Sequence, residues 1–93
     1  MSVDRDLLEA SNILPHRQVD ICDYSNGNRV TPHAIAGERG SGEICVNGAA
    51  AHLVKPHDLV IICSDVQLDD AGSQGWKATR VFVGERNRTR EIA

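Results

Sequence analysis

Asn26-Gly27-Asn28-Arg29, Gly37-Glu38-Arg39-Gly40-Ser41-Gly42 and Val46-Asn47-Gly48-Ala49-Ala50-Ala51-His52 are the stretches on which the fold of this chain turns. Asn-Gly is the strongest short-range hairpin signal, because both residues tolerate positive φ. Glycines at 37, 40 and 42 make that stretch a loop rather than the interior of a helix or strand. The run Gly48-Ala49-Ala50-Ala51 is small enough for close approach of backbone to a ligand or to another element.

Around these stretches the pattern is that of strands. Gln18-Val19-Asp20-Ile21-Cys22-Asp23 alternates apolar and polar residues, which predicts a half-buried strand entering the Asn26-Gly27 turn. The returning strand runs from Arg29 to Ile35 and contains Pro32, which cannot donate a ladder hydrogen bond and so predicts an edge or a bulge. Glu43–Val46 reads as a short strand. Leu59-Val60-Ile61-Ile62-Cys63 is a continuous apolar run, expected as a strand buried on both faces. Arg80–Val83 is a last strand. A short helix is expected over Val3–Ala10, with Asp4 or Asp6 at its N-terminal end where a carboxylate meets free amides. Residues 69–74 are a loop or weak helix. The expectation is one mainly β domain over 1–93, a small barrel with one or two short helices and a flexible tail at 84–93.

Bulk properties exclude several function classes. Ninety-three residues form one small domain, for which oligomerisation is a fair expectation. Aromatics are 3% against 41% apolar residues, so the core is aliphatic. A net charge of −3 with no basic stripe argues against nucleic acid. No stretch reaches membrane-spanning length, and the acidic start Met1-Ser2-Val3-Asp4-Arg5-Asp6 is no signal peptide, so a cytoplasmic setting is expected. Cys22, Cys45 and Cys63 read as buried free thiols. His52 and His57 have no evident third ligand, so no metal is expected. The 37–42 loop lacks the lysine of a phosphate-binding loop.

From about Val3 to about Val83 the chain resembles, without a gap, the aspartate 1-decarboxylase family of pyruvoyl enzymes. The Gly-Glu-Arg-Gly-Ser-Gly and Val-Asn-Gly-Ala-Ala-Ala-His pieces carry that likeness, with Leu-Val-Ile-Ile in place of the family's core strand. The resemblance implies a double-psi β-barrel, a homotetramer with sites between neighbouring subunits, and a small carboxylate-bearing substrate. Arg29 matches the family's substrate-binding arginine, whose planar fork binds a carboxylate bidentately. Asn47 and the amides of Gly48, Ala49 and Ala50 match the wall that hydrogen-bonds the substrate near the cofactor.

The chain also departs from the family. Pro32 replaces a threonine that helps self-cleavage, and His33 replaces the tyrosine taken as proton donor. The family makes its pyruvoyl group from a serine at the cut site; Ser2 lies two places beyond that position, and the segment before it, with a first strand and a lysine, is not in this sequence. The expectation from these departures is no cofactor, with pyruvoyl chemistry lost. Arg29 would then hold a carboxylate while His33, four residues on and on the same strand face if Pro32 adds no bulge, moves a proton. The reaction would be an isomerisation, a cyclisation with dehydration or a cofactor-free decarboxylation. Three alternatives stand beside this one. They are the large subunit of a true aspartate 1-decarboxylase, a catalytically dead regulatory relative, and a half-enzyme that takes its missing strand from a separate polypeptide. The bland readings are a surface imidazole for His33, an ion pair with Glu38 or Asp20 for Arg29, and a cap of the Gly48 turn for Asn47.

Overall fold

The computed structural model describes residues 1–93 as eight short strands and two short helices. Strand β1 (Ser2–Asp4) leads directly into helix α1 (Arg5–Ser11). Strands β2 (Asp20–Asp23) and β3 (Arg29–Val30) form the expected hairpin, and β4 (Ile35–Gly37) and β5 (Ile44–Cys45) flank the glycine loop. After a 3-10 turn at Gly48–His52 come β6 (Val60–Cys63), α2 (Asp70–Ser73), β7 (Val81–Val83) and β8 (Thr89–Ile92). The strands pair in three groups, β4-β1-β5, β3-β2-β6 and β7-β8. The chain is mainly β with few short helices, as expected, but its ladders do not close into a barrel.

Asp4 organises the first sheet. Its side chain caps α1 by accepting from the Asp6 amide at 2.8 Å, and it also accepts from the amides of Gly40 and Gly42 at 3.0 and 2.8 Å. One carboxylate therefore ends β1, starts α1 and pins the glycine loop. Gly42 must be glycine here. Its φ is +71°, and a Cβ would collide with the Arg86 carbonyl. Arg39 in the same loop reaches back to α1, pairing with Asp6 and Glu9 at 2.6 Å each. The helix starts two residues later than expected, because Val3 is used in β1 between β4 and β5.

In the second sheet, β2 follows its alternation. Val19 and Ile21 are fully buried, while Asp20 and Cys22 face outward and are half-buried. Gly27 supplies the turn's positive φ of 81°. Pro32 accounts for the shortness of β3. The Val19 amide donates to the Pro32 carbonyl at 2.9 Å, and proline has no proton to return, so the ladder stops at Val30. The strand is an edge strand, and Pro32 does not bulge it. Cys22↔Arg29, Ile21↔Val30 and the isolated bridge Gln18↔His33 keep one register. Fully buried Ala34 then carries the chain across to β4 in the other sheet.

Three expectations are corrected. Strand β6 is not buried on both faces. Val60 and Ile62 face the core, whereas Ile61 is 56% exposed and Leu59 just before it 66%, because no layer of this chain covers the outer face. The cysteines are not all buried, since Cys22 is half-buried and Cys45 and Cys63 are exposed on outward positions. Residues 84–93 do not trail off as a tail but hold a 3-10 turn and β8, which pairs with β7 across an irregularity at Phe82 and Val83. The core joins Met1, Val3, Leu7 and Leu8 to Val19, Ile21 and Val54. No helix is long and apolar enough to cross a membrane.

Candidate functional site

Two of the expected residues, His33 and Asn47, come to one place through backbone topology. Ser2 pairs in parallel with Ile35 and antiparallel with Cys45. Two residues before Ile35 lies His33, and two residues after Cys45 lies Asn47. Both therefore flank the N-terminal end of β1. The contact is direct on one side, where the Met1 amino group donates to the His33 carbonyl at 2.9 Å and the Ile35 amide donates to the Met1 carbonyl at 2.8 Å. Arg29 stands four residues before His33, and the unbroken register with β2 puts both on one side of that strand.

The side chains have the following partners. Arg29 is exposed, and its Nη2 donates to Cys22 Sγ at 3.4 Å. That hydrogen bond is the first cause that raises the guanidinium's pKa above its ordinary value, with the charge of Asp20 adding to it. The ion pair with Glu38 or Asp20 is not formed, because the salt bridges of this chain belong to Arg39 and Asp20 Oδ1 instead accepts from Thr31 Oγ1 at 2.8 Å. Asn47 does not cap the Gly48 turn with its side chain; its Oδ1 accepts from Cys45 Sγ at 3.1 Å. Gly48, Ala49 and Ala50 form the first residues of that 3-10 turn, where amides lack partners within the turn.

Two surface concavities lie elsewhere. One is lined by Asp4, Asp6, Leu7, Asn87, Arg88 and Thr89, the other by residues of the 17–20 and 63–67 segments. Neither includes Arg29, His33 or Asn47.

Sequence reasoning overlooked two features. Cys22 is the partner of Arg29, a pairing that counting outward from a two-residue Asn26-Gly27 turn misses, since that count sets Tyr24 opposite Arg29. Asp23 is 2% exposed, and its Oδ1 accepts from the Ser25 and Asn26 amides while Oδ2 has no donor. Burial, and then the neighbouring Asp58, push Asp23 up. Asp58 is held down by its neighbour Asp23 and by the Lys55 amide, which donates to its Oδ2 at 2.9 Å. The two neighbouring carboxyls are thereby pushed apart in acidity.

A family model described as aspartate decarboxylase matches residues 1–90. The chain is similar to three proteins named aspartate 1-decarboxylase. That of Syntrophus aciditrophicus (strain SB) is 50% identical over 95% of this chain and 76% of its own length. That of Myxococcus xanthus (strain DK1622) is 46% identical over 95% of this chain and 68% of its own. That of Legionella pneumophila (strain Lens) is 47% identical over 99% of this chain and 69% of its own. These relatives correct the expectation of no cofactor, since aspartate 1-decarboxylases are pyruvoyl-dependent. The position of Met1 carries no weight against that match.

Proposed function

The chain belongs to the aspartate decarboxylase family, and on that footing we propose that it is the large-subunit part of an aspartate 1-decarboxylase, converting L-aspartate into β-alanine and CO2. The observation that carries this reading is half identity to a protein of that name across 95% of the chain. The proposed assembly is a single domain over 1–93 that completes a double-psi barrel within a homotetramer. Support for association comes from the small core, with only 11 of 93 residues buried and Leu59 and Ile61 uncovered.

The residues fit a pyruvoyl group in one respect visible in the fold. A group joined ahead of Met1 would emerge between the strand ends carrying His33 and Asn47. When bound, such a group supplies an electron sink for the pair released as CO2 departs. In this reading Arg29 anchors a substrate carboxylate through its free charge. Asn47 and the amides of Gly48, Ala49 and Ala50 orient the substrate by hydrogen bonds. His33 delivers the proton to the carbon left behind, taking over from the family's tyrosine. Pro32 supplies no hydroxyl towards self-cleavage, so maturation in this reading proceeds without the threonine the family uses there.

The test is L-aspartate turnover alongside intact mass with and without a hydride reagent that traps a carbonyl. β-Alanine production, a trapped carbonyl, and a loss of at least about a hundredfold in kcat for His33→Phe would support the reading. A protein that carries no carbonyl and makes no β-alanine would sink it.

A further inference from the structure

The one direct partner of Arg29 is a thiol, and this sets what that arginine can do. Cys22 lies straight across the β2–β3 ladder from Arg29, with Sγ 3.4 Å from Nη2. The nearest competitor, Asp20, lies on the same outward face, and its Oδ1 is engaged by Thr31. A sulfur atom is a weak acceptor. It orients the guanidinium without neutralising it as a carboxylate would, so the outer edge of the planar fork stays open for an incoming anion.

We propose that Cys22 is a positioning residue for Arg29, holding its guanidinium in the orientation that receives a substrate carboxylate. This rests on the reading of Arg29 as the carboxylate anchor. The size of the side chain at position 22 matters as well as its sulfur. Cys22 is half-buried, and Ile61 stands opposite it on β6. A bulkier group there would displace the guanidinium, and a carboxylate would capture it.

The experiment uses the whole chain labelled with 15N. It follows the Arg29 Nε–Hε resonance, assigned by its loss in Arg29→Lys, together with a titration of succinate as a plain dicarboxylate probe. Cys22→Val should leave the fold intact, make the Arg29 side chain mobile in its heteronuclear NOE, and weaken succinate binding roughly threefold to tenfold. Cys22→Ser restores an acceptor of similar shape and should recover both readouts. Cys22→Asp should keep Arg29 ordered while abolishing succinate binding, because the guanidinium is then internally neutralised. An Arg29 resonance equally rigid in wild type and Cys22→Val overturns the proposal. If succinate instead binds Arg29→Lys as well as wild type, the carboxylate-anchor reading fails, and the side-chain order still reports whether Cys22 holds Arg29.

Discussion

Two aspartates lie almost fully inside this small protein, and they behave in opposite ways. Asp4 is 3% exposed and Asp23 is 2% exposed. Burial raises the pKa of both. At Asp4 that effect is overcome by three backbone amides, of Gly42, Asp6 and Gly40, with the charge of Arg88 beyond them, and the carboxyl is held below its ordinary 3.8. At Asp23 two amides of the turn are not enough, since the second oxygen has no donor and Asp58 is a neighbour, and the group is pushed above 3.8. Depth does not decide the charge of a buried carboxyl. The number of donors brought to it does.

The contrast breaks most severely at Asp4. Asp4→Ala removes the helix cap and strands the amides of Gly40 and Gly42 together, so Tm should fall by roughly 10–20 °C in thermal unfolding followed by circular dichroism. Asp23→Asn should act in the other direction. An asparagine amide keeps an acceptor for the two turn amides and removes the buried carboxyl that competes with Asp58, and a rise of about 3–6 °C at neutral pH is expected. A fall of similar size would show that the two carboxyls do not compete.

The pH profiles sharpen the same point. Asp4 has a depressed pKa, so its contribution is present above 3.8 and lost as pH falls through and below that value. Asp23 has a raised pKa, so its contribution is full below 3.8 and lost as pH rises towards its folded value. Denaturant midpoints of wild type should therefore decline on both sides of a maximum, and Asp23→Asn should flatten only the rising-pH side. The smallest effect belongs to Arg39→Ala. The pair it makes with Asp6 and Glu9 holds the same loop as Asp4 but is half exposed, so Tm should change by no more than about 5 °C and less in high salt.

Reading the chain as letters reached the two aspartates unequally. Asp4 stands before a helical pattern, and capping is a local rule, so its first role was legible. Its hold on Gly40 and Gly42 was not, because that bond spans 36 and 38 residues and follows from how the loop crosses β1. Asp23 looked like the polar member of an alternating strand, and nothing nearby in sequence announced Asp58. The misreading of β6 has a similar origin. Five apolar residues signal burial, but they do not say whether the covering layer belongs to the same chain. At the candidate site Arg29, His33 and Asn47 were legible through their family match. That His33 and Asn47 flank one strand end was not, since it depends on β1 lying between β4 and β5.

The hydrogen bond from Met1 to His33 has a consequence for whatever is joined ahead of Met1. An ammonium offers three protons and a full positive charge, and a peptide amide offers one proton and none. Any group joined ahead of Met1, the pyruvoyl group of the proposed enzyme included, makes that exchange at the His33 carbonyl. With such a group in place, the strand end beside His33 is held by an uncharged and weaker bond than in a chain whose amino group is free.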